Sequence, residues 1–171
     1  MPRVSFPDAL PTGIESDAEI IDLELLAPYD PQALLTALNN ALPQGICVLT
    51  AVDIPYKSPA PAVCIIESHY GVTIPPRLVA GLSEKISAFL AAETVTTQRD
   101  KGIKGVQIVE VRRDTTDVSF DGTTLHLHLV KGSPMLLAAY LLAVTTEEIR
   151  LLPVRKLDVT LLDLGYATDP T

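Results

Sequence analysis

The sequence predicts an α+β fold built as two successive halves. Two stretches carry apolar residues at helical spacing, Pro31 to Leu42 and Leu78 to Leu90. Between and around them lie segments with the alternation or the β-branched content of strands. The alternation of the two kinds is too regular for an all-β sandwich.

Taken in order, Arg3 to Phe6 has the look of a strand end. Leu10-Pro-Thr-Gly13 is a turn: Pro11 fixes its own φ, and Gly13 is free to take a positive one. Ile21, Leu23 and Leu25 alternate with Asp22 and Glu24, giving a strand with one buried face. Asp30 and Pro31 are a good N-cap and first helical residue, and Leu34, Leu35, Leu38, Ala41 and Leu42 form one stripe. Pro43 and Gly45 stop that helix.

Gly45–Ile54 reads as a strand, Tyr56–Pro61 as an extended proline-rich link, and Ala62–Ile74 as a further strand in which Gly71 marks a bulge. Pro75-Pro76 opens a helix with the stripe Leu78, Val79, Leu82, Ile86, Phe89 and Leu90. Thr94–Gln98 has strand composition. Residues 18–98 thus read β-α-β-β-α-β, a ferredoxin-like two-layer sandwich, with 1–17 a remnant strand and turn of an incomplete N-terminal part.

A second β-β-α-β half is expected over 99–165. Val106–Arg112 alternates, and Asp121-Gly122 between Val118–Phe120 and Thr123–Val130 signals a tight hairpin. Met135–Leu142 is apolar nearly all round and belongs in the core. Thr145-x-x-Glu148 is a capping box, Val154–Leu162 a last strand, and 166–171 a tail.

Hydrophobic residues at 47% and charged ones at 20% describe a globular chain of 171 residues. A net charge of −8 argues against a surface built mainly to hold phosphates. Cys47 and Cys64, each inside an apolar run, read as small buried hydrophobes in a reducing compartment. No apolar h-region follows Met1-Pro-Arg, and Met135–Val144 is about half a membrane span, so a cytoplasmic protein with no membrane partner is expected.

Several side chains invite a chemical reading. Glu15, Ser16, Asp17 and Glu19 crowd one sheet end, where carboxylates repel unless cations or N–H groups intervene. A solvated acidic turn is the plainer account. The surface of Ser5, Pro11, Gly13, Glu15, Ser16 and Glu19 is the candidate for meeting a partner or ligand. His126 and His128 share one strand face, a spacing able to chelate zinc or copper, but no third ligand is identifiable and a solvated pair is the simpler reading. His69 and Glu67 could form an acid–base pair, yet no nucleophile accompanies them. Arg99, Lys101, Lys104, Arg112 and Arg113 are the densest basic zone, either a phosphate- or RNA-facing edge or a charged edge that discourages aggregation. Nucleotide-loop, dinucleotide and nucleophile-elbow motifs are missing, and no C-x-x-x-C-x-x-C could hold an iron–sulfur cluster. No cofactor or metal is therefore expected, and no residue is assigned a catalytic role.

The run Val4-Ser-Phe-Pro-Asp-Ala-Leu-Pro-Thr-Gly-Ile-Glu-Ser-Asp-Ala-Glu19, continued by Asp22-Leu-Glu-Leu25, resembles the radical-SAM-linked family of bacterial proteins, which carry domain of unknown function 2344. Leu38-Asn-Asn-Ala-Leu-Pro-Gln-Gly-Ile46 is similar to that family's helix-to-strand turn. Glu110-Val-Arg112 resembles a later segment that usually reads Asp-Ile-Arg. The likeness spans most of the chain and is strongest over the first fifty residues. Its departure is at the front, where the family's opening strand, its Ser-His-Leu-Asp helix start and its Gly-Phe-Asn-Pro-His turn have no counterpart. An N-terminally truncated or diverged member is the expectation.

The resemblance implies a partner role, since such proteins are encoded with, or fused to, a radical-SAM protein. A more distant likeness is to the dimeric, ferredoxin-like tRNA pseudouridine synthases. Their catalytic Arg-Thr-Asp is replaced here by Pro-Asp-Ala and Glu-Ser-Asp, so no role passes to Asp8 or Asp17. Three functions stay open: a non-catalytic accessory domain acting in RNA or protein modification, an RNA-binding or RNA-modifying protein, and a homo-oligomeric scaffold joined through the first strand.

Overall fold

A computed structural model describes residues 3–7 and 9–163; Asp8 and the expected tail at 166–171 lie outside them. In chain order the first elements are β1 (Arg3–Ser5), β2 (Ile14–Ser16), β3 (Asp22–Glu24), α1 (Pro31–Ala41) and α2 (Pro61–Cys64). There follow β4 (Ile65–Thr73), a 3-10 turn at Pro76–Leu78, α3 (Leu82–Ala91), β5 (Thr96–Asp100) and β6 (Val106–Glu110). The last are β7 (Thr115–Phe120), β8 (Thr124–Leu129), α4 (Pro134–Leu142), α5 (Thr146–Ile149) and β9 (Val154–Leu161). The mixture is α+β, as the sequence predicts.

The chain divides into two compact units, one of Met1–Asp8, Ile20–Cys64 and Leu162–Thr171, the other of Ala9–Glu19 and Ile65–Leu161. Residues 18–98 are thereby shared between both. In the first unit β1 pairs antiparallel with β3, Val4 opposite Leu23, so the opening strand has a neighbour within its own chain. Asp30 caps α1 through a 2.7 Å bond from the Ala33 N–H.

The strand expected at Gly45–Ile54 does not form. A strand needs a neighbour's ladder, and here the backbone of Val48 is met instead by one side chain: Asn39 donates to the Val48 carbonyl at 2.9 Å and accepts from its N–H at 2.7 Å. Leu49 is left 70% exposed. For the same want of a neighbouring ladder Cys47, expected to be buried, is exposed, while Cys64 at the end of α2 is only half-buried. Ala62–Ile74 likewise begins as the single turn α2, because Val63 N–H bonds back to the Ala60 carbonyl, and becomes a strand only at Ile65.

The second unit is organised by a five-stranded sheet of order β2-β9-β4-β8-β7. Only β2 and β9 run parallel; the other pairs are antiparallel. This is not the four-stranded ferredoxin-like sheet expected over 18–98, since β3 and β5 belong to separate two-stranded sheets. Alternation along each strand placed them correctly, but pairing is a long-range choice on which alternation is silent.

Inward-facing Val72, Val118, Leu125, Leu127, Leu129 and Val154 line the inner face of the sheet. Against them pack Leu82, Ile86 and Phe89 of α3 together with α4, eight of whose nine residues are buried. Each such aliphatic side chain contributes roughly 1.5–3 kcal/mol. The Asp121-Gly122 hairpin forms as expected: Gly122 takes φ +103°, and Asp121 Oδ1 accepts from the N–H groups of Thr123 and Thr124. Thr145 and Glu148 make the expected capping box at α5.

Candidate histidine relay on the outer sheet face

With Leu125, Leu127 and Leu129 turned into the core, His126 and His128 necessarily face outward. The β4–β8 register sets His69 opposite His128 and Gly71 opposite His126. The His126–His128 pair and the His69–Glu67 pair, read separately in the sequence, are therefore one cluster. His69 Nε2 lies 3.0 Å from His126 Nδ1, and the His69 and His128 rings stack with centroids 4.2 Å apart and planes 13° from parallel. None is freely solvated; the His126 and His128 side chains are 25% and 29% exposed.

Carboxylates close both ends. His126 Nε2 is 3.2 Å from Asp121 Oδ2, and His128 Nδ1 is 3.0 Å from Glu67 Oε1. Thr116 donates its hydroxyl to the second oxygen of Glu67. These contacts fix the tautomers of the neutral rings. If His126 donates from Nε2 to Asp121, its Nδ1 must accept, and His69 is the donor from Nε2. His128 donates from Nδ1. The order Asp121–His126–His69, stacked on His128–Glu67–Thr116, is a continuous polar track across β7, β8 and β4.

Burial, and then the charges of His128 and His126, push the His69 pKa below its usual value. The hydroxyl of Thr116 and the ring of His128 hold Glu67 below the ordinary carboxylate range, against some desolvation. The Thr124 and Thr123 N–H groups, with His126, draw Asp121 down to about 2. Each half, Asp121–His126–His69 and His128–Glu67–Thr116, is hydrogen-bonded within itself, but the halves meet only ring to ring, and neither presents a nucleophile. Among the described residues no three His, Cys, Asp or Glu side chains are disposed to hold a metal ion.

The acidic opening turn is a clasp. Arg155 of β9 bridges Glu15 and Asp17, and the nearly buried Lys156 reaches Glu19 at 3.1 Å. Ser16 donates to Glu19 at 2.7 Å, and the Asp17 N–H bonds to the Lys156 carbonyl. The repulsion expected among these carboxylates is thus cancelled by two cations that lie far away in sequence. Pro11 closes the turn by accepting from Ile14 N–H, Gly13 has φ +91°, and Ser5 stands in β1 opposite Asp22.

Arg99, Lys101, Lys104 and Arg113 of the basic zone are all exposed. Arg112 is spent differently: its guanidinium donates to the carbonyls of Thr115 and Leu90 and lies 5.7 Å from the centre of the Phe89 ring. Sequence reasoning missed the union of His69 with His126 and the parts of Thr116 and Asp121. Only the Asp-Gly turn, which aligns β7 with β8, offered a local signal for any of it.

Among the described residues no helix is long and apolar enough to cross a membrane. A family model described as an uncharacterised protein conserved in bacteria (DUF2344) matches residues 1–150. No curated protein matches the chain, and no solved structure does.

Proposed function

On the premise that this chain belongs to the uncharacterised bacterial family DUF2344, we propose that it is a non-catalytic accessory domain acting with a radical-SAM protein in the modification of an RNA or protein substrate. The observation that carries a binding role is the apolar exposure of the first unit. Its helix α1 is amphipathic yet buries no residue. In the same unit Leu26, Leu49 and Tyr56 are 79%, 70% and 86% exposed. Contiguous exposed apolar surface is what marks interaction sites. The radical-SAM identity of the partner comes from the resemblance of Val4–Glu19 and Asp22–Leu25.

The test is association of this chain with the radical-SAM protein encoded beside it, at micromolar concentrations. Binding lost on Leu49→Asp and Tyr56→Asp, with the circular dichroism spectrum unchanged, is the expected result. No association of the unaltered proteins removes the proposal. A self-associating scaffold is less well supported, since β1 already pairs with β3.

A further inference from the structure

The hairpin of β5 and β6 stands apart from the five-stranded sheet as a ribbon of its own. Its root is firmly held. Val95 and Val111 are buried and joined by a 2.8 Å bond from the Val111 N–H to the Val95 carbonyl. Glu110 accepts from the N–H groups of Val95, Arg112 and Arg113, and Arg112 is locked under Phe89. Beyond the root every residue from Gln98 to Ile108 is exposed. Gly102 and Gly105, at φ +60° and +78°, allow the tight tip.

The charges along this arm are sorted. Asp100, its carboxylate beyond the root, turns inward to cap the tip, accepting from Gly102 N–H at 2.7 Å. The side chains of Arg99, Lys101 and Lys104 have no hydrogen-bond or ion-pair partner among the described residues. Between the two lysines Ile103 is fully exposed. A chain of net charge −8 thus extends an arm on which three cations stand against the single carboxylate of Asp100.

We propose that this arm docks on double-stranded RNA, which rests on the RNA branch of the reading above. Complementary charge selects a polyanion. Gln98–Ile108 holds no aromatic side chain, and unpaired bases are held chiefly by aromatic stacking. A duplex is left. The deep, narrow A-form major groove excludes a two-stranded ribbon, whereas its wide, shallow minor groove displays 2′-hydroxyls. Arg99, Lys101 and Lys104 meet phosphates, Gln107, paired with Arg99 and so on the same face of the ribbon, supplies an amide for a hydroxyl, and Ile103 lies on the groove floor.

The probe is a fluorescein-labelled RNA hairpin with a stem of about 20 base pairs, since one double-stranded RNA domain spans about 16, titrated by anisotropy with the whole chain. The expected result is binding that falls with salt. In Arg99→Gln/Lys101→Gln/Lys104→Gln it weakens at least tenfold, and the log–log salt slope shrinks by about two to three. Ile103→Ala weakens binding severalfold with an unchanged salt slope, and circular dichroism verifies that the variants are folded. The proposal is overturned if the hairpin does not bind at low salt, or if the triple variant binds as well as the natural chain. It is overturned equally if a DNA duplex (whose major groove admits a ribbon), single-stranded RNA or polyglutamate competes as strongly. Association of the triple variant with the radical-SAM protein is scored separately, so loss of the arm's role and loss of the partner reading give different outcomes.

Discussion

Leu157 lies over Gly71: a methyl group on Gly71 would stand 3.0 Å from Leu157 Cδ1 and 3.2 Å from Thr124 Cγ2. The cause is a β-bulge. His69 pairs with Asp158 and Tyr70 with Lys156, which leaves Leu157 as the extra residue of β9. Gly71→Ala is expected to cost about 1–3 kcal/mol of stability through overpacking. In a Leu157→Ala background the same change should cost less, and urea titrations of the four proteins of the double-mutant cycle measure the difference.

The histidine track makes stability depend on pH. His69 in the folded chain has a pKa below its unfolded value, so the unfolded state binds the proton more readily. Its contribution is present above about pH 6.5, the unperturbed value, and is lost as pH falls from there through the folded pKa. Glu67, also lowered, adds a loss that begins only below its ordinary value of 4.5. The Tm should therefore drop between pH 7 and 5, and His69→Gln should flatten that segment while sparing the acid limb. An unchanged profile in the variant would refute the assignment.

Lys156 and Glu19 are unequally buried, their side chains being 7% and 36% exposed. Removing the carboxylate strands an ammonium away from water, whereas removing the ammonium leaves a carboxylate that water and Ser16 still reach. Glu19→Ala is expected to cost about 2–4 kcal/mol and Lys156→Met about 1 kcal/mol. Chemical denaturation at neutral pH distinguishes the two; equal losses would contradict this account.

Arg112 and Arg113 are adjacent cations with opposite assignments. Arg112→Met removes two hydrogen bonds to backbone carbonyls and the contact with Phe89. A loss of about 1.5–3 kcal/mol is expected, from charge-assisted hydrogen bonds. Arg113→Met should stay within about 0.5 kcal/mol, as exposed substitutions do. Thermal unfolding of both variants is the check.

Local patterns made most elements legible. The stripe on α3, the apolar α4, the capping box at Thr145 and the Asp121-Gly122 turn each depend on residues a few positions apart, and each is present. The helix expected from Pro75-Pro76 is nonetheless broken: Pro76–Leu78 is a 3-10 turn and α3 starts only after Gly81, at φ +72°, so Leu78 and Val79 lie outside it. What could not be read was which strand stands beside which. His69 meets His126 across 57 residues and Lys156 meets Glu19 across 137, distances at which no spacing rule operates. The apolar run at Gly45–Ile54 misled for a related reason. Strand composition is a readiness to pair, and there the Asn39 amide occupies the backbone of Val48. The candidate site was half visible: its histidines were noticed in two pairs, one of them with Glu67, and only the fold made them one.

The position of β9 between β2 and β4 governs how the second unit can assemble. Arg155 clasps Asp17 across 138 residues, so a strand made near the outset waits for one made near the finish. While the ribosome adds about 5–20 residues per second, β2 and one edge of β4 stay bare for several seconds, inviting pairing with other nascent chains. Only once β9 has left the ribosome can this sheet close.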